Sequence, residues 1–93
     1  MREIDYSTVP VDYMAGAVQR YIEQGIEPGS FMRALLSNDL RGAVSSADGM
    51  NIVHIPHWVV WMENNLPSVT WGSADRYDAW VTCRGHAGCA ENG

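Results

Sequence analysis

The chain has 93 residues, 46% of them hydrophobic, and carries 11 acidic against 6 basic side chains for a net charge of −5. That length fits one domain with one core, and that apolar content excludes a disordered chain. The acid excess and the lack of any lysine exclude the basic face that non-specific nucleic-acid binding needs, and no run of about 18 apolar residues is present to span a membrane.

Residues 1–9 read as extended or frayed. Pro10 suits a first helical position, where its missing N–H has no partner to lose. Val11, Met14, Val18, Tyr21 and Ile22 then fall on one helix face, and Gly25 suits a left-handed cap, which predicts a helix over 10–24. In "GIEPGSFMRALLSNDLRGA", Pro28 restarts the chain as the opening of a second helix, with Phe31, Leu35 and Leu36 as its apolar face. Ser37, Asn38 and Asp39 are capping residues, so this helix ends near Leu36 and a third begins at Asn38 or Asp39. Leu40 and Val44 are its expected inward pair.

"SSADGMN" breaks the chain again. In "IVHIPHWVVWMENNLP", Ile52, Ile55, Val59, Met62 and Leu66 step at helical spacing and predict an inward stripe. Pro56 either starts this helix or bends it, and Pro67 closes it. Val53, Trp58, Val60 and Trp61 lie off the stripe, so the segment is apolar on most sides and reads as a central helix surrounded by others. Trp61 is assigned to the core. Trp58 stays open between core and an exposed aromatic contact. Ser73 caps a last helix with Tyr77, Trp80 and Val81 on its face, Trp71 packing back on it and Gly85 ending it. Residues 85–93, "GHAGCAENG", read as a Gly-rich tail. With no period-2 alternation there is no sheet. The expectation is an all-α, single compact domain of about five short helices, with an ordered core over about residues 10–84.

Chemistry is sparse. Cys83, His86 and Cys89 stand three apart, and with His54 and His57 they are the residues from which a zinc site could be drawn, although paired C-x2-C units are missing. Cys83 and His86 also sit too near the chain end to be held as a nucleophile–base pair. No phosphate-binding, dinucleotide or hydrolase motif occurs. Glu23, Glu27, Asp39, Asp48 and Glu63 are scattered over several segments and make no acid–base pair. The reading is a protein without enzymatic turnover and without a cofactor. The third helix offers a DNA groove only Arg41, beside Asp39, so direct DNA reading is not expected. The opening "MREIDYSTVP" has no apolar signal region, which leads to an expectation of a cytosolic protein with reduced thiols; a Cys83–Cys89 disulfide would require an oxidising compartment.

"GIEPGSFMRALLSNDLRGAVSSADGMN", "IPHWVVWMENNLP" and "WGSADRYDAW" together resemble a group of short proteins encoded by tailed phages and prophages, mostly of unassigned function. The shared pattern looks like GIxPGSFxxAxLxNDLxxAxxxAD, then a Trp-containing helix ending NxxP, then WGS and a final Trp. It covers about residues 25–80; the N-terminal part and the Cys/His tail lie outside it. The resemblance implies a phage accessory protein acting in the bacterial host cytoplasm as an anti-CRISPR-type inhibitor. Its partner would be a host protein or ribonucleoprotein with a basic surface, met by Glu23, Glu27, Asp39, Asp48 and Glu63 with Trp58 as the aromatic contact. The alternative is a phage structural or regulatory helper, monomeric or a homodimer through the Trp-rich helix; a small zinc-stabilised domain is a third.

Overall fold

Turn and capping residues set most of the helix ends. The structure, a computed structural model, describes residues 4–92, with side chains over 4–88. Among the described residues there are seven α-helices and no strand. They are α1 (Ala15–Gln24), α2 (Ser30–Leu36), α3 (Leu40–Ser46), α4 (Gly49–Val53), α5 (Ile55–Asn65), α6 (Ala74–Thr82) and α7 (Gly85–Asn92), with 3₁₀ turns at Tyr6–Thr8, Asp12–Met14 and Ser68–Thr70. The all-α class holds; the helix count rises from about five to seven.

Pro10 lies ahead of the first helix, which begins as the 3₁₀ turn and continues as α1. Val11, Val18, Tyr21 and Ile22 are buried as their spacing predicts. Gly25 caps α1 in the left-handed region at φ 67°, its N–H donating to the Tyr21 carbonyl at 2.9 Å. Pro28 also precedes its helix. Gly29, at φ 96°, is the N-cap of α2, and α2 ends at Leu36 as expected. The three capping residues after it divide the work. Ser37 is the C-cap, Asn38 turns the chain in the left-handed region at φ 62°, and the Asp39 carboxylate accepts from the Gly42 N–H at 3.0 Å to start α3. The Gly72 N–H donates to the Leu36 carbonyl at 2.8 Å, so the loop before α6 completes the end of α2.

Leu40 and Val44 are not the inward pair of α3. Both are exposed, and Ala43 is the buried residue. The corner is so tight that α3 meets α2 through small groups: a Cβ added to Gly42 would lie 3.2 Å from the Ala34 Cβ. A leucine has no room on that side.

The segment after Asp48 is two helices, not one. It breaks at His54 (φ −107°, ψ 8°), and Pro56 enters the first turn of α5, where its ring disturbs no hydrogen bond. The break spoils a single helical register. Met62 and Leu66 are buried, but Ile52 and Val59 are exposed, and the inward side is formed by Asn51, Trp58, Trp61 and Met62. Nor is α5 a central helix: Val59 and Val60 face outward.

Both chain ends join the fold. Residues 4–9, expected to fray, place Ile4 and Val9 in the core, and the Trp61 indole N–H donates to Thr8 Oγ1 at 2.8 Å. Residues 85–92, expected to be a tail, form α7, which packs on α1. The contact is made backbone to backbone, since a Cβ on Gly25 would lie 2.6 Å from the Gly85 nitrogen. Arg84 and Gly85, at φ 66° and 69°, make the turn from α6 into α7. Cys83 is disulfide-bonded, contrary to the expectation of a reduced thiol.

Aromatic side chains fill the core. Tyr21 and Tyr77 stack at 5.4 Å between centroids, and Trp58 and Trp61 meet edge to face at 6.0 Å. Their polar atoms are used: Trp58 Nε1–H donates to Asn51 Oδ1 at 3.2 Å, Trp80 Nε1–H to the Tyr21 carbonyl at 3.0 Å, and the Tyr21 hydroxyl to the Thr70 carbonyl. Among the described residues no buried side-chain nitrogen or oxygen lacks a partner. The radius of gyration, 12.3 Å, is that of a packed domain of this length.

Candidate functional site

The helices leave one feature the core does not need: an apolar outer side on α3, α4 and α5. Leu40 (66% exposed) and Val44 are one turn apart on α3. Ile52 and Val53 (62%) stand on α4, and Val59 and Val60 (60%) on α5. Leu40 and Val59 line the same shallow groove, floored by Leu35, Ile55 and Trp71, so α3 and α5 present a joint surface. Each of these six side chains is exposed by more than two fifths of its surface. Residues 49–62 contain no Asp, Glu, Lys or Arg, so most of this surface is also free of charge.

Sequence spacing missed these residues as a surface. Their signal was present as apolar residues on several sides of 52–62, but two-sided hydrophobicity describes a buried central helix and an exposed sticky one equally well. Tertiary packing decides which it is.

The expected contact residues are dispersed. Glu23 lies on α1, Glu27 on the turn after it and Glu63 on α5, all exposed. Gln19 Nε2–H donates to Glu23 at 3.4 Å, and Glu27 accepts from the Tyr77 hydroxyl at 3.3 Å. Asp39 and Asp48 are exposed too, but each is an N-cap: Asp48 accepts from the Asn51 N–H at 2.7 Å and from the Tyr13 hydroxyl. Those two donors hold the Asp48 carboxyl below the usual carboxylate range, Tyr13 being the larger cause. Trp58 is 0% exposed, so the aromatic contact expected of it is corrected: in this fold it is a core residue.

Asp39→Ala should therefore destabilise the domain by about 1 kcal/mol by removing the cap of α3, while Asp39→Asn and Asp39→Ser, which keep a capping oxygen, should lose a fraction of that. Thermal melts of the three variants decide it. Equal loss in all three would mean that the charge of Asp39, and not its cap, supports the fold.

Ionisable groups converge at one small recess of about 170 Å³, lined by Glu27, Gly29, Ser30, Arg33 and Tyr77. The Arg33 guanidinium sits 5.9 Å from the Tyr77 ring centroid. Burial, with Glu27 nearby, pushes the Tyr77 hydroxyl up to about 12, so it stays protonated at neutral pH and serves as a hydrogen-bond donor. A larger open groove of about 480 Å³ runs beside α5, lined by residues including Thr8, His54, His57, Val60 and Asn64. In it the His54 and His57 Nδ1 atoms face each other at 3.2 Å. The five-residue zinc set drawn from the sequence is not assembled: Cys83 is in a disulfide, the Cys89 side chain lies outside the described residues, and no three His, Cys, Asp or Glu among the described residues cluster to hold a metal. No helix among the described residues is long and apolar enough to cross a membrane.

No protein-family model, curated protein or solved structure matches this chain.

Proposed function

We propose that this chain is a binding protein that acts by covering a surface of another macromolecule, without turnover. The observation that carries this reading is the set of exposed apolar side chains on α3, α4 and α5, of which Leu40, Val53 and Val60 are the most exposed, together with the absence of formal charge over residues 49–62. An aqueous monomer gains nothing from such a side, and a partner that covers it gains about 25 cal/mol for each Å² removed from water. Glu23, Glu27 and Glu63 are exposed and have no capping duty, and they supply the acidic part of the contact. Joined to the phage-like sequence pattern, this supports an anti-CRISPR-type inhibitor that occupies a host effector complex. Such complexes hold nucleic acid in basic channels, and a protein that offers both exposed carboxylates and exposed apolar side chains suits their mouths.

The test is phage survival in hosts carrying matched CRISPR systems, with and without the protein. Protection is expected with the wild type and should fall about tenfold or more with Leu40→Glu or Val53→Glu, which put a charge into the contact centre. Glu23→Lys, Glu27→Lys and Glu63→Lys should each act more weakly, through the association rate. Unchanged killing across type I and type II hosts removes the inhibitor reading. Protection that survives both apolar substitutions removes the α3–α5 contact.

The second reading is a phage helper protein that pairs with its own copy. It is favoured by the charge-free run 49–62, where two copies of a chain of charge −5 meet without like charges opposed. Gel filtration separates the two: a dimer abolished by Val53→Glu supports the helper, and a monomer supports the inhibitor.

A further inference from the structure

We infer that His54 and His57 form a two-nitrogen site for a zinc-class divalent cation. His54 is the residue at the α4–α5 break and His57 lies one turn on, three residues later, so both rings project from the start of α5 to the same side. Their Nδ1 atoms stand 3.2 Å apart, with the ring planes inclined at 55°. Two imidazole nitrogens each about 2.05 Å from a shared zinc ion and separated by that distance subtend roughly 100° at the metal, close to the tetrahedral angle. In the metal-free protein the same approach is a hydrogen bond in which one Nδ1–H donates to the other Nδ1. A cation takes the place of that proton: the donating ring changes tautomer, its proton moving from Nδ1 to Nε2, and both rings then coordinate through Nδ1 as neutral imidazoles.

The surroundings select the ion. The groove contains Thr8, Asn64 and Asn65 beside the histidines and no carboxylate, so it offers little to calcium or magnesium, which take oxygen donors. Imidazole pairs suit zinc, nickel and copper. The groove is open, which leaves the remaining coordination positions to water. The start of α5 presents a helix dipole that opposes a cation, and the net charge of −5 favours one; coordination by two nitrogens, not the field, sets the affinity. His86 lies on another helix, at the start of α7.

The experiment is titration of the full chain with Zn²⁺ alone, followed by calorimetry, with circular dichroism of every variant to check folding. One equivalent is expected to bind to the wild type at pH 7.5. His54→Ala and His57→Ala should each weaken binding about tenfold or more, because a single imidazole remains, and His86→Ala should leave it unchanged. Ca²⁺ at the same concentration should give no heat. The proposal is overturned if the wild type shows no uptake at about millimolar Zn²⁺, if His54→Ala and His57→Ala bind as well as the wild type, or if binding is lost only in His86→Ala.

Discussion

Gly25→Ala is expected to lower the melting temperature by about 15–30 °C. Two effects add. The residue caps α1 at φ 67°, where an alanine is strained by about 1–2 kcal/mol. The new Cβ would also lie 2.6 Å from the Gly85 nitrogen and 2.8 Å from backbone atoms of Arg84. Those are main-chain atoms at the turn into α7, so they cannot swing aside as a flexible side chain would. Relieving the clash means separating α1 from α7, and overpacking of this kind costs about 1–3 kcal/mol. A total near 4 kcal/mol is a large part of the stability of so small a domain, and each kcal/mol moves its melting point by roughly 4–8 °C. Gly29→Ala is the control. Gly29 also has positive φ, at 96°, but a Cβ there meets nothing within 4 Å. It should lose only a backbone term, about 1–3 kcal/mol because φ 96° with ψ 166° is a region essentially confined to glycine. Gly25→Ala that melts within about 8 °C of the wild type, the loss that left-handed strain alone gives, would show that the glycine-to-glycine approach does not hold the C-terminal helix in place.

The second large effect is expected at Trp58. Removing a wholly buried tryptophan leaves a cavity, and Trp58→Ala should destabilise the domain by about 3–5 kcal/mol. It also takes the donor away from Asn51 Oδ1, a nearly buried acceptor. Trp58→Phe keeps most of the volume and isolates the hydrogen bond, with an expected loss of about 1 kcal/mol. Denaturant unfolding followed by circular dichroism reads both. Trp58→Ala that melts like the wild type yet loses its partner would return Trp58 to the role of an exposed contact.

How far the sequence reveals this depends on whether a feature is local. Gly25, Leu36, Asp39, Pro67 and Ser73 mark helix ends through their own backbone preferences and capping atoms, and these boundaries are legible to within a residue or so. Pro10 and Pro28 mislead slightly, since both stand ahead of the turn they introduce. Which side of a helix faces inward is legible on α1, where a full apolar stripe meets an otherwise polar surface. It is not legible on α3, because Ala43 packs inward only on account of how closely α2 approaches. Nor is it legible across 52–66, where a break at His54 resets the register and apolar residues on every side leave the spacing uninformative. Gly-rich composition made 85–92 look unstructured; the glycine at its start is instead what lets α7 come against α1. The His54–His57 pair is visible as a spacing of three, but its ring-to-ring approach belongs to the fold.

Residues 49–62 hold no formal charge, and that has a consequence at the bench. Electrolyte screens attraction between exposed ions, with a Debye length of about 10 Å at 0.1 M that shortens as salt rises, yet leaves oily contact intact or strengthens it when sulfate is the anion. A complex seated on this stretch will therefore survive a high-sulfate wash on an affinity column, whereas one gripped by the glutamates alone will elute.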